Sequence, residues 1–277
     1  MKNIFFVLLF AIVFVSCDRP IHLNLNESQV RVIIEGQVTN RAGYQYVKLS
    51  RSVDFYQTGA LPKITNATVS VKDSEGNEVM FIHNPNNKAD SIGYYLPQTP
   101  FLGVIGMDYH LRVDVDGEIY EADDHLYPVT SVDSLAYRID DDEKDDPKTA
   151  NKFYEVLIYA KEPHPSKDYY LFKFYRNDSL KLYNDTDIYY TDDEALGESI
   201  NGISTPIFYA PGDKATIEAY SLSRTGYVFY DDLQKLLTND GGMFNQPPAN
   251  SRTNLSNGAL GFFQASAINS ASIVVEE

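Results

Sequence analysis

Tyr109-His-Leu-Arg-Val-Asp-Val115, Asp116-Gly117, Glu118-Ile-Tyr-Glu-Ala122 is the stretch that decides the fold. Apolar and polar residues alternate on both sides of an Asp-Gly pair, so each arm presents one face to a core and one to water. Asp-Gly suits the two left-handed positions of a type I′ turn, whose twist matches that of two antiparallel strands. The segment therefore predicts a β-hairpin, and it sets the pattern for what lies on either side.

Upstream, Val30–Thr39, Tyr46–Val53, Ala67–Asp73, Glu78–His83 and Gly93–Leu96 are short, alternating or β-branched runs separated by turn residues. Gly36 within the first run marks a bulge or a close backbone approach. Strands at this spacing, with no helical period among them, predict an antiparallel sandwich over residues 29–127, immunoglobulin-like or transthyretin-like in architecture. The Cys…Trp…Cys pattern of true immunoglobulin domains is absent.

Downstream, residues 128–277 predict a second β-rich domain. Its strands are Val132–Ile139, Phe153–Lys161, Tyr169–Arg176, Ser179–Tyr183, Lys214–Leu222, Leu260–Ser266 and Ser272–Glu276, with a local pairing at Ile188–Tyr190. Pro163-His-Pro165 reads as the turn between two of them, and Asn184–Gly202 as an acidic loop. The period changes once. Tyr227, Tyr230, Leu233 and Leu237 recur every three or four residues, Ser223 suits an N-cap and Asn239-Asp-Gly-Gly242 a stop, so a helix is predicted near 224–237. Met243–Asn257 then reads as an irregular loop, either a binding edge or a cover packed against the sheet, with the structural role preferred.

The chain opens Met1-Lys-Asn-Ile-Phe-Phe-Val-Leu-Leu-Phe-Ala-Ile-Val-Phe-Val-Ser-Cys17. The apolar run from Ile4 to Val15 suits a secretory leader and is too short to span a bilayer, which takes ~20 residues. Ser16-Cys17 at its end looks like a bacterial lipobox, in which the cysteine sulfur takes a diacylglycerol, the leader (1–16) is removed and the new amino terminus is acylated. Lipidation also explains a single cysteine in an exported chain. Residues 17–28 read as a tether. Two or more acyl chains, such as palmitate, give stable anchoring, at ~0.8 kcal/mol per buried methylene.

Composition narrows the function classes. Lys and Arg number 23 against 39 Asp and Glu, a formal charge of −16, and loss of Lys2 with the leader makes it one unit more negative. A nucleic-acid partner is excluded by the lack of a basic footprint, and the same charge opposes adhesion to anionic headgroups. With one cysteine there is no intrachain disulfide. Stability must come from a core rich in the 21 Tyr and 15 Phe.

Reactive constellations are few. The acidic run Asp140–Asp146 lacks the glycine and the alternating carboxylates of a calcium loop and reads as solvated surface. Asp114-Val-Asp116-Gly117 reads as the hairpin turn. Asp192-Asp193-Glu194, with Asp185 and Asp187 nearby, is the remaining cation candidate. His22, His83, His110, His125 and His164 fall in separate segments with no metal-ligand spacing. There is no nucleophile elbow, zinc helix motif or phosphate loop. Neither a cofactor nor a metal is called for, and nothing demands an enzyme; a glycan- or peptide-acting hydrolase working through the many carboxylates is the alternative.

Several stretches carry a family likeness: Asp18–Leu25, Val32–Gly36 through Val47–Ser50, Ala67–Val69, Pro211–Asp213, Ser221–Tyr227, and above all Asn239–Asn250 through Asn254-Leu255 to Gly258–Ala265. In this order and spacing the chain resembles the DUF4249 lipoproteins of Bacteroidota along nearly all its length after Cys17. The resemblance implies an outer-membrane lipoprotein, on the periplasmic or the cell-surface face, without assigned activity. Such proteins are often associated with TonB-dependent transporters, which implies an accessory role in uptake. It supplies no ligand-binding residues; Cys17, the lipid attachment, is the one site residue. The expected function is a lipid-anchored binding protein, with a structural envelope lipoprotein as a further alternative.

Overall fold

The computed structural model describes residues 29–53, 59–143, 151–161, 167–196, 199–239 and 249–277. The chain is mostly β, as expected, with three sheets in a sandwich and near-barrel arrangement and one substantial helix. Cys17, His22, His164 and the Pro163–Pro165 turn lie outside the described residues, as do 144–146 of the acidic run and 243–248 of the cover.

The Asp-Gly hairpin is β6 (Asp108–Val115) and β7 (Glu118–His125), turning on Asp116 and Gly117 at φ 54° and 88°. Before it come β1 (Val32–Thr39), β2 (Tyr46–Arg51), β3 (Thr68–Asp73), β4 (Glu78–His83) and β5 (Tyr94–Pro97). These seven, with β15 (Leu260–Ser266), form a single eight-stranded sheet in the order β15-β1-β2-β5-β4-β3-β6-β7. The sheet curls round one core that includes Ile34, Val38, Leu49, Leu111 and Phe263, all without exposed surface.

The expected division at 127/128 therefore does not follow the sheets. β15 comes from the far end of the chain, yet it pairs in parallel with β1, Gly36 opposite Phe263 and Ile34 opposite Gly261. The close approach expected at Gly36 is to the Phe263 ring, 2.8 Å from where a Cβ would stand. β15 also meets β7. Asn254 donates to the carbonyls of Asp123 (3.0 Å) and Phe263 (2.8 Å) and accepts from the Phe263 amide (3.1 Å). Ser256 exchanges bonds of 2.8 Å with the Glu121 backbone. The described end of the Met243–Asn257 segment thus fills the seam that brings the curled sheet close to closure, a structural role.

The second core lies between two smaller sheets. One is β8 (Val132–Ile139), β9 (Tyr154–Lys161) and β13 (Ser199–Ser204), in the order β13-β9-β8. The other runs β11 (Ser179–Lys181), β10 (Tyr169–Arg176), β14 (Lys214–Leu222), β16 (Ile268–Val274), with β12 (Tyr189–Asp192) sharing an edge of β10. Val156, Ile158, Phe174, Ile217 and Tyr209 pack between them. β13 falls where an acidic loop was expected. Its sequence, Ser-Ile-Asn-Gly-Ile-Ser, has two apolar residues and a register shift at Gly202, too little alternation to stand out. β16 starts at Ile268, four residues before the expected strand.

A single helical turn, α1 (Asp193–Leu196), precedes β13, and α2 (Arg224–Leu237) follows β14. Ser223 caps α2 as expected, accepting from the Gly226 amide at 3.1 Å. The helix is held by aromatics: Tyr227 against Tyr169 and Tyr190, and Phe229 stacked on Phe262 at 5.0 Å. Leu237, expected on the apolar face, is exposed.

Candidate functional site

One end of the curled sheet carries an ordered apolar surface. The connection from Gln98 to Met107 is pinned at several points. Gly103 N–H donates to the Thr39 carbonyl (2.7 Å), Val104 N–H to the Tyr109 hydroxyl (2.7 Å), and Gly106 N–H to the Leu126 carbonyl (2.9 Å). Gly103 is needed for this: a Cβ there would stand 2.5 Å from Leu126 Cδ1 and 3.0 Å from the Thr39 backbone. Phe101 packs edge-on against Phe81. With the backbone fixed, Leu102, Val104 and Ile105 are left about half exposed, at 53%, 50% and 49%.

Beside this loop lies an open groove of about 470 Å³, between the β1–β2 turn and the ends of β4 and β5. Its walls are Ile82, Leu96, Pro97, Pro100 and Phe101, and its polar side chains are the amides Gln45, Asn86 and Gln98. Among the described residues no ionisable side chain lines it. On the other side of Leu102 a hollow of about 270 Å³ is lined by Val71, Val79 and Met107 together with the polar side chains of Asp73, Glu75 and Asn77. Exposed Met80 and Ile82 on β4 extend the apolar surface. Such a surface has the chemistry to bury another apolar surface; the groove offers a substrate no acid, base or nucleophile.

The strongest ionisable cluster is elsewhere, around a buried carboxylate. Glu218 on β14 is buried, and its carboxylate accepts from Arg41 Nη1 (2.9 Å), Tyr44 (2.7 Å), Tyr175 (2.9 Å) and Tyr220 (2.8 Å). Burial first, then the neighbouring carboxylate, pushes the phenols of Tyr175 and Tyr220 upward. Burial pushes the Lys173 amine, which lies over the Tyr220 ring, downward. Because Arg41 and Tyr44 belong to the β1–β2 turn, the cluster clamps the eight-stranded sheet to the five-stranded one. Asp124 is a second buried acid. Burial raises its pKa to about 6, against the bonds it accepts from the Ala265 amide (2.8 Å), Ser223 and the His125 backbone.

Of the acidic residues considered for cation binding, Asp187, Asp192 and Glu194 have local partners, while one buried oxygen of Asp193 has none among the described residues. Lys167 pairs with Glu194 (2.8 Å) and lies 4.0 Å from Asp192, and Asp187 accepts from Asn184. Asp142 N–H donates to Asp140 in the acidic run. His110 and His125 sit opposite Asp123 and Asp108 on the outer face of the β6–β7 hairpin, at 2.8 and 2.7 Å. His83 accepts from the Gly93 amide. Among the described residues no three His, Cys, Asp or Glu converge as metal ligands. The apolar groove escapes a reading of the sequence because its residues come from separated segments; the aliphatic Leu102-Gly-Val-Ile105 between two turns is its only local signal.

The fold and groove define a predominantly β protein with a curled sheet, a second β sandwich and an apolar surface at one end. The chain belongs to the family described as "Domain of unknown function (DUF4249)", which matches residues 18–272. A comparison with curated proteins found no match.

Proposed function

We propose that this protein is a lipid-anchored outer-membrane binding protein, attached through Cys17, that docks on a TonB-dependent transporter and assists substrate capture or uptake. The observation that carries the binding role is the pinned Gln98–Met107 loop. Several backbone hydrogen bonds hold three of its aliphatic side chains out in water, beside a groove with no ionisable group among its described residues. An exposed apolar patch on a rigid scaffold favours association with a protein surface. The leader supports the anchoring: an apolar run of secretory length ends at the one cysteine.

Affinity purification from detergent-solubilised outer membranes tests both halves. The wild-type protein should co-purify with a transporter barrel, and Leu102→Asp/Ile105→Asp should lose it while folding normally, since both side chains face water. Recovery without any barrel sinks the docking. Cys17→Ser should shift the protein from the membrane to the soluble fraction; retention on the membrane would overturn the lipid anchor.

A further inference from the structure

A separate cleft of about 230 Å³ opens at one end of the second sandwich, where β10 and β11 extend past the start of β9. Three cations line it, Lys152, Arg176 and Lys181, and among the described residues no carboxylate does. In a chain of charge −16 this is opposite to the prevailing field. The topology explains the convergence. Arg176 faces Ser179 and Lys181 faces Phe174 across the β10–β11 hairpin, which puts Arg176 and Lys181 on one face as diagonal neighbours. Lys152 arrives from the residues before β9, whose first residue, Tyr154, bridges to Tyr209 beside Phe208.

Of the carboxylates in the adjoining turns, Asp178 pairs with Lys214 (3.0 Å) and Asp213 accepts from Asn177 (2.7 Å), while Asp187 accepts from the backbone of Asn184, a residue of the lining (2.8 Å). Among the described residues neither Lys152 nor Lys181 has a carboxylate within ion-pair distance. Arg176 donates one N–H to the Phe208 carbonyl (2.8 Å), which orients the guanidinium and leaves its other donors available. The rest of the lining is apolar or aromatic apart from the amide Asn184, with Ile207 buried and Leu182 and Tyr183 exposed at the rim.

We propose that this cleft binds a small organic oxyanion. Its carboxylate or phosphate sits among Lys152, Arg176 and Lys181, and its apolar part lies on Phe208 and Leu182. A planar guanidinium with two ammonium groups matches an oxyanion, and the volume admits a molecule the size of a substituted benzene ring. The site is independent of the apolar docking surface, which is built on the other sheet.

Titration of the folded protein at low salt with benzoate, phenyl phosphate, inorganic phosphate and benzylamine, followed by amide chemical shifts, tests this. Saturable binding of benzoate or phenyl phosphate is expected, with shifts at Tyr183 and Phe208, weakening as salt is added. Inorganic phosphate should bind less tightly than phenyl phosphate, and benzylamine should not bind. Lys152→Gln/Lys181→Gln changes two partly exposed side chains and should keep the fold while weakening the organic anions tenfold or more. No saturable binding by either organic anion, unchanged affinity in that variant, or equal binding of benzylamine would overturn the proposal. Phosphate as tight as phenyl phosphate would overturn the part assigned to Phe208 and Leu182.

Discussion

At the residue scale the two buried acids, Glu218 and Asp124, differ in the donors around them. Glu218 has four side-chain donors around its two oxygens. Glu218→Gln keeps one acceptor oxygen but turns an amide N–H₂ toward phenols that need an acceptor, and should cost about 2–4 kcal/mol in urea unfolding. A loss below ~1 kcal/mol would mean that solvent reaches the clamp. Asp124 has fewer donors and is better off neutral. Its pKa is about 6 when folded against an ordinary 3.8, so the folded state holds the proton more tightly. The stability this gives is complete below about pH 4 and is lost as pH rises through 6, a swing of roughly 3 kcal/mol. Asp124→Asn, which can still accept from the Ala265 amide, should flatten that part of the stability profile between about pH 4 and 7. Parallel profiles for the two proteins would refute the assignment.

At the scale of elements, the seam between β7 and β15 rests on a few groups. Asn254 does there what a strand's backbone would do, and Asn254→Ala leaves two carbonyls and an amide without it. The expected loss is ~1–3 kcal/mol, with faster hydrogen exchange at the Phe263 amide. Gly261, at φ 98°, is more demanding: a Cβ would stand 2.1 Å from the Ile34 carbonyl oxygen. Gly261→Ala should separate β15 from β1 and cost roughly 4 kcal/mol or more, seen as a collapse of the thermal transition. Neither role is legible in the sequence. The β6–β7 hairpin and α2 can be read because their signals are local: an Asp-Gly turn, alternation, an N-cap and a three-to-four period. Leu260–Ser266 can be read as a strand for the same reason. Nothing within it says that its neighbours are β1 and β7, because pairing depends on residues far away along the chain, 131 positions in the bond from Asn254 to Asp123. The cationic cleft and the apolar groove are hidden likewise, each being assembled from segments that carry no motif alone.

At the scale of the whole molecule, the sheets share parts in a way that resists division. β15 contributes Phe263 and Ala265, both wholly buried, to the first core. β16 follows it directly and completes the five-stranded sheet, so the end of the chain serves both cores. Arg41 and Tyr44 reach from the first sheet to Glu218 in the second, and Asn40 binds the Ile268 backbone in both directions, accepting at 2.7 Å. A fragment ending at residue 127 would keep β1 to β7 and every local signal that suggests an independent sandwich. It would lack the parallel partner of β1, the seam around Asn254, and the ring that covers Gly36. Both β1 and β7 would then be open edges flanking an uncovered core, a combination that favours aggregation over folding. Residues 29–127 produced alone should therefore show no cooperative thermal transition. Residues 29–277 should unfold in one step, with circular dichroism and tyrosine fluorescence giving the same midpoint. A fragment that melts cooperatively would mean that β15 is a cover on a self-sufficient domain. Two separate transitions in the longer chain would mean that the Glu218 clamp does not couple the cores.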